Sequence, residues 1–466
     1  MNPTHRTVTL ATAGPREGPL TWGQLAIWDV LQRLPADDCS LNQSLWRPTS
    51  VPTTVDGAVG LIQSLIERHE PLHSCYFTRD GEPVQRITEG RPLHVSVVRS
   101  EPDGVAAAAE AERERLHRAV FDLGSELPVR ASVVAVGERA EAVVLALSHA
   151  AVDGWGLAIV VSELERLLAG CSPDGLGPRA RQPIDRAEFE LSSTGRRMEA
   201  ATLAHWESEI RATPVLFQAQ TDTPPEAERD WAEMDSVAVA VCARRLSGGT
   251  GPAASVLAMT GALLAQLNGL QESAIRVIVS TRYDRADWSF VGAMNQNAYV
   301  RTHWSADTSA ARYLTAASDA AFTAYLACEG DPRKVEALTA AHGAASGFVP
   351  QGYCFFNDTS LPAAPAPAGQ SATLGPEDIE DALRRTRIAP LQRDGRQLGA
   401  KFFLYLQAIS ESCRITLVRD PAFLDVTAAE FLAALERLFV LAATDPGAPL
   451  SELLHKAVNG PLARHV

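Results

Sequence analysis

The sequence predicts a mixed α/β protein of about two or three compact units. Three observations lead there. The chain has 466 residues, 46% of them hydrophobic, which is enough to bury extensive cores. Apolar runs of strand length occur without interruption, as at residues 142–147, while other stretches place apolar residues at i, i+3, i+4 and i+7.

In chain order, Val59, Ile62, Leu65 and Ile66 recur at helical spacing after Thr54. They run into Arg68, His69 and Glu70, a charged cluster that closes the helix, and a short strand is expected at 75–77. Residues 142–147 read as a strand buried on both faces, and Leu157, Val160, Val161, Leu164, Leu167 and Leu168 as a helix, with 148–156 between them. Gly- and Pro-rich text at 171–184, and a similar break at 221–230, put a lobe boundary near residue 178, giving units 1–178 and 179–466. The second half offers strands at 275–280, 353–357, 402–409 and 414–418 and a helix at 428–442. The Pro- and Ala-rich stretch 361–375 reads as an exposed loop, because Pro withholds a ladder donor and blocks helix.

Composition narrows the function classes. A net charge of −14, from 42 Lys+Arg against 56 Asp+Glu, argues against nucleic acid as a partner. Only Lys334, Lys401 and Lys456 are lysine, so positive charge rests almost wholly on guanidinium groups suited to bidentate anion contacts. Seven scattered cysteines without a CxxC pair argue against a disulfide framework and a zinc knuckle. The N-terminal residues lack an apolar signal core and no apolar stretch reaches spanning length, so a cytoplasmic protein without a membrane partner is expected. His69 and His73 stand at i, i+4, but Pro71 lies between them and no third ligand is near, so no metal is expected.

The chemistry concentrates in Ser148-His149-Ala150-Ala151-Val152-Asp153-Gly154-Trp155-Gly156. His149 sits where a buried strand ends, a place from which side chains reach a cleft. An imidazole there can take a proton from an amine or hydroxyl at neutral pH. Gly154 leaves room for substrate or a tight turn, and its N–H is a candidate oxyanion donor. Asp153 is also the expected residue for a helix N-cap. Trp155 is expected to pack beneath the helix, on the usual burial of tryptophan.

This segment resembles the HHxxxDG motif of the condensation-domain superfamily, which includes nonribosomal peptide condensation domains and chloramphenicol acetyltransferase. Ser148 stands in place of the first His and His149 in place of the second, catalytic one. Other matches follow in the family's order. Leu20-Thr21-Trp22-Gly23-Gln24 with Trp28 is similar to its opening motif, and Arg68-His69-Glu70-Pro71-Leu72 with Phe77 to RHExLRxxF. Phe121-Asp122-Leu123 with Pro128-Val129-Arg130 is similar to FDL…PLxR, and Val291-Gly292-Ala293-Met294-Asn295 with Arg301 to VGxFVN…R.

The resemblance implies two chloramphenicol-acetyltransferase-like lobes forming a V-shaped pseudo-dimer, with the active site in a tunnel between them. It implies a free-standing, monomeric acyltransferase of natural-product biosynthesis. Such an enzyme moves an acyl or aminoacyl group from phosphopantetheine on a carrier protein, or from coenzyme A, to a small-molecule amine or hydroxyl. His149 is implied as the base and Asp153 as a structural residue paired with an arginine of the second lobe, Arg282 first and Arg285 second. Ser148, Gly154, Trp155 and Asn357 are implied as tunnel residues. Ser148 keeps a second function open, a catalytically silent recruitment platform. The run Arg384-Arg385-Thr386-Arg387 is a candidate contact for an acidic carrier.

Overall fold

In the computed structural model the described residues are 4–213, 229–248, 251–346, 354–360, 376–392 and 400–460. The loop expected at 361–375 lies outside them. Two compact units emerge: Met1–Arg197 with Ser280–Gln296 and Gly330–Pro332, and Met198–Val279 with Asn297–Glu329 and Arg333–Val466. The first unit therefore runs past residue 178 and takes in a segment from the second half of the chain.

The first unit is built on a five-stranded sheet in the order Thr4–Thr9, Pro92–Arg99, Val129–Val136, Arg139–Ser148, Asn42–Thr54. The strand Arg139–Ser148 is an interior one, antiparallel to both neighbours. Its side chains alternate between two cores. Val143, Leu145 and Leu147 pack with Ile62 and Leu65 of the helix Val55–Arg68 and with Val160 and Leu164 of the helix Gly154–Leu168. Ala142, Val144 and Ala146 pack with Ala109 and Leu116 of the helix Val105–His117. Helices on both faces explain why this strand reads as a continuous apolar run rather than an alternating one. Each fully buried Val or Leu contributes about 1.5–3 kcal/mol.

The helix expected after Thr54 is Val55–Arg68, with the Thr54 side chain accepting from the Gly57 N–H as its N-cap. A three-stranded sheet, Arg16–Pro19, Glu82–Ile87 and Ser74–Arg79, contains the expected strand at 75–77. Pairing of Asn42–Thr54 with the histidine strand shifts register between Pro48 and Thr53, across the stretch that holds Pro52.

The second unit is built on a seven-stranded sheet in the order Asn295–His303, Glu272–Ser280, Cys354–Asp358, Phe402–Ile409, Cys413–Arg419, Asp230–Ser236, Arg387–Pro390. The expected strands fall on these elements, and residues 428–442 fall on the helix Ala428–Thr444, opened by a Thr427/Glu430 capping box. One face of the sheet, with Phe356, Phe402, Leu404, Ile415 and Leu417, buries against helices that include Phe431, Leu435 and Phe439. The other face carries Phe355, Phe403 and Tyr405, stacked with centroids 5.3 and 4.2 Å apart.

All seven cysteines are free and five of them are buried. Among the described residues no helix is long and apolar enough to cross a membrane.

Candidate active site

The histidine strand ends at Ser148, and the chain turns through 148–152 before the helix Gly154–Leu168. The Ser148 carbonyl accepts from the N–H groups of Ala151, at 3.0 Å, and Val152, at 3.3 Å. Ala151 and Val152 are buried in the core beneath the turn. The turn is thus anchored by apolar burial and leaves His149 half-buried at its outer edge.

His149 Nδ1 lies 2.8 Å from the Val152 carbonyl oxygen. A carbonyl only accepts, so Nδ1 carries the proton and the neutral ring keeps its lone pair on Nε2. This is the tautomer needed to accept a proton from a nucleophile. Ser148 is 3% exposed. Its Oγ accepts from the Ala150 N–H at 3.3 Å, so this side chain closes the turn.

Asp153 has two roles at once. Its Oδ1 accepts from the Gly156 N–H at 2.8 Å and caps the following helix. Both carboxylate oxygens also receive Arg282: Nη1 donates to Oδ2 at 2.7 Å and Nη2 to Oδ1 at 2.9 Å. Oδ2 accepts from the Met294 N–H at 2.9 Å as well. Arg282 reaches on to the Gly292 carbonyl at 2.9 Å and the Phe290 carbonyl at 3.2 Å. The pair is buried, and these bonds engage both carboxylate oxygens and both terminal nitrogens of Arg282, while among the described residues its Nε has no hydrogen-bond partner. Arg282 and Met294 lie in Ser280–Gln296, so the pair forms within the first compact unit. Arg285 instead sits over the Trp288 ring, 5.7 Å from its centroid.

Gly154 is exposed, and a Cβ built on it would meet nothing within 4 Å. It is not among the glycines with positive φ, so the tight-turn reason for a glycine here does not hold and open space remains. At the first turn of a helix the N–H groups of Gly154 and Trp155 have no helical acceptor. The close approach falls elsewhere: a Cβ on Gly23 would lie 2.3 Å from the Ala293 carbonyl oxygen. That contact joins two of the motif segments.

Trp155 is 39% exposed, which corrects the expectation that it packs beneath the helix. Its indole N–H donates to the Trp288 carbonyl at 2.9 Å, and the Trp288 indole N–H donates to the Arg282 carbonyl at 3.1 Å. The ring of Trp155 is held by its nitrogen, and the Arg282 guanidinium carbon lies over it, 6.0 Å from its centroid. Asn357 lies in the second unit, on the strand Cys354–Asp358, in register with Ile278 on one side and Tyr405 on the other.

The supporting polar cluster is Arg68, His69 and Glu163. His69 Nε2 and Glu163 Oε2 are 2.7 Å apart, and Arg68 Nε donates to Glu163 Oε1 at 3.0 Å. Burial pushes the Glu163 carboxyl up, but His69 and Arg68 outweigh it and hold it below the usual range. His73 is buried, and among the described residues neither ring nitrogen has a hydrogen-bond partner. Burial, with Arg179 and His69 nearby, pushes its pKa down to about 4.

In the second unit a groove of about 1000 Å³ is lined by Val237, Val241, Arg244, Arg384, Arg385 and Arg387, among others. Arg384 is engaged by Asp381 on its own helix. Arg385 and Arg387 are exposed and form no ion pair among the described residues.

Two participants were missed in the sequence. Gln43 donates from Nε2 to the Val152 carbonyl, the oxygen that orients His149, at 3.0 Å. Trp288 closes the loop that carries Arg282. A polar residue on the core-facing side of a strand was the available signal for Gln43; nothing in the sequence marked Trp288.

The family model described as "Condensation domain" matches residues 54–324. Among curated proteins, the isonitrile lipopeptide synthase of Mycobacterium tuberculosis is 25% identical over 334 residues, 66% of this chain and 13% of that protein. The alignments take in 3% to 25% of the length of the first four curated relatives. Among solved structures, SgcC5 of Streptomyces globisporus aligns with a TM-score of 0.67 at 17% identity, covering 92% of this chain and 100% of that one. The X-domain from teicoplanin biosynthesis, solved in complex with OxyB, aligns with a TM-score of 0.67 at 19% identity, covering 95% and 97%.

Proposed function

The chain belongs to the condensation-domain family, and from that premise we propose that it transfers an acyl or aminoacyl group from a carrier-protein phosphopantetheine thioester to an amine or hydroxyl acceptor. The observation that supports this most directly is the His149 ring, whose Nδ1–H is committed to the Val152 carbonyl. That leaves Nε2 as the base.

The nucleophile attacks the thioester carbonyl carbon as its proton passes to Nε2. The oxyanion of the tetrahedral intermediate is met by first-turn N–H groups at Gly154 or Trp155. The C–S bond then breaks, and the departing thiolate takes the proton back from His149. The product is an amide or ester, and no acyl-enzyme is formed. Asp153 and Arg282 hold the loop. The two compact units are proposed as the two acyltransferase-like lobes, with Asn357 on the second as a substrate contact. Coenzyme A is the alternative donor on the same chemistry.

A second reading, a silent platform that recruits other proteins, is favoured by Ser148 in place of the family's first His and by the structural likeness to the X-domain solved with OxyB.

The test is intact-mass monitoring of an acyl-loaded carrier with a panel of amines and alcohols, wild type against His149→Ala. Product with the wild type alone supports the transferase. Turnover by neither, with measurable binding to a partner, supports the platform.

A further inference from the structure

The Val152 carbonyl oxygen accepts two donors, His149 Nδ1 at 2.8 Å and Gln43 Nε2 at 3.0 Å. Gln43 stands on the strand Asn42–Thr54 opposite Leu147, and two residues on, Leu45 stands opposite Leu145. Leu45, Leu145 and Leu147 all belong to the apolar core of the first unit. Successive side chains of a strand alternate in direction, so Gln43 projects on the same side as Leu45, where the pattern calls for an apolar residue. A polar residue at such a position, half-buried, breaks the local rule for a strand and asks for a compensating role.

The neighbouring polar side chains do not need it. Asn42 spends its amide on the carbonyls of His117 and Ala119, and Ser44 contacts His117. The Val152 carbonyl already has the His149 donor, so Gln43 does not rescue an orphaned acceptor. What a second donor adds is direction. One hydrogen bond leaves a peptide plane free to rock about it, whereas donors on both lone pairs fix the plane. A neutral imidazole whose acceptor moves populates both tautomers, and only the Nδ1–H form presents Nε2 as a base.

We propose that Gln43 is a positioning residue that locks the tautomer and ring orientation of His149 through the shared Val152 carbonyl. As far as catalysis is concerned, this rests on His149 being the base.

The test uses the whole chain with Gln43→Met, which keeps length without a donor, and Gln43→Leu, which removes the donor and suits the apolar core at that position. Ring nitrogen shifts of His149, assigned with His149→Gln, are read by proton–nitrogen correlation in the ligand-free protein. The wild type is expected to show the Nδ1–H tautomer, and both variants a mixture. With an acyl-loaded carrier, kcat is expected to fall about three- to tenfold, the worth of one hydrogen bond, with KM unchanged. A folded variant that keeps the wild-type tautomer and kcat overturns the proposal. So does loss of fold in both variants, which would make Gln43 a core residue. A wild type without turnover defeats the assignment of His149 as base, while the tautomer comparison still decides the role of Gln43.

Discussion

Arg282 holds Asp153 through both of its terminal nitrogens, at 2.7 and 2.9 Å, while the same carboxylate caps the helix that follows the histidine turn. Removing either partner strands a buried charge. Asp153→Asn or Arg282→Met alone is expected to cost about 3–5 kcal/mol. Asp153→Asn with Arg282→Met is expected to recover part of that loss. Denaturant unfolding of the two single variants and the double variant checks this, and equal additive losses would refute the coupling.

Ser148 occupies a fully packed position, so restoring the family's first His is not a gain. Ser148→His is expected to destabilise by about 1–3 kcal/mol through overpacking. Ser148→Ala, which loses one long hydrogen bond, is expected to cost less than about 1 kcal/mol and to keep turnover. Thermal unfolding and the carrier assay read the two effects separately.

His73 gives the fold an acid-sensitive component. Its pKa is about 4 when folded, below the ordinary 6.5, so the unfolded chain binds the proton first. The contribution is complete above pH 6.5 and is lost as pH falls toward 4, by a total of about 3 kcal/mol. His73→Phe is expected to flatten stability over that window. An unchanged slope between pH 6.5 and 4 would remove His73 as the cause.

Gly23 meets the Ala293 backbone too closely for any side chain. Gly23→Ala is expected to force the segment carrying Met294 away from Asp153, at a cost of at least about 1–3 kcal/mol. Faster hydrogen exchange of the Met294 amide would show the displacement. Normal stability would refute the contact.

Arg385 and Arg387 line the groove of the second unit with no ion pair among the described residues, whereas Arg384 is engaged on its helix. If a carrier docks there, Arg385→Glu with Arg387→Glu is expected to weaken carrier binding about tenfold or more, and Arg384→Glu to weaken it less. Titration at low and moderate salt measures both. Unchanged affinity in the double variant removes the groove as the docking surface.

Much of the fold was legible because the strongest patterns are burial patterns. The run at 142–147 and the spacing of Leu157, Val160 and Leu164 reflect cores that the structure contains. The choice of Arg282 came from a strand end, and its contact with Asp153 joins residues 129 positions apart. What pattern cannot carry is side-chain direction. The Ser148 hydroxyl turns toward its own backbone and accepts from the Ala150 N–H, a contact that spacing does not announce. Trp155 was expected to be covered, yet it is 39% exposed and its nitrogen is taken by a carbonyl 133 residues away. Gln43 acts through a backbone oxygen, an interaction that leaves no trace in residue spacing.

Among the described residues, prolines stand at one margin of each large sheet. Pro48 and Pro52 lie in Asn42–Thr54, the last strand of the five-stranded sheet, and Pro390 ends the four-residue strand Arg387–Pro390, the last of the seven-stranded one. An unpaired margin is a template for another copy of the chain, and proline removes the donors such a template needs. In a crowded cell, these margins are poor seeds for sheet-to-sheet aggregation, and substituting the prolines with β-branched residues would expose that protection by its loss.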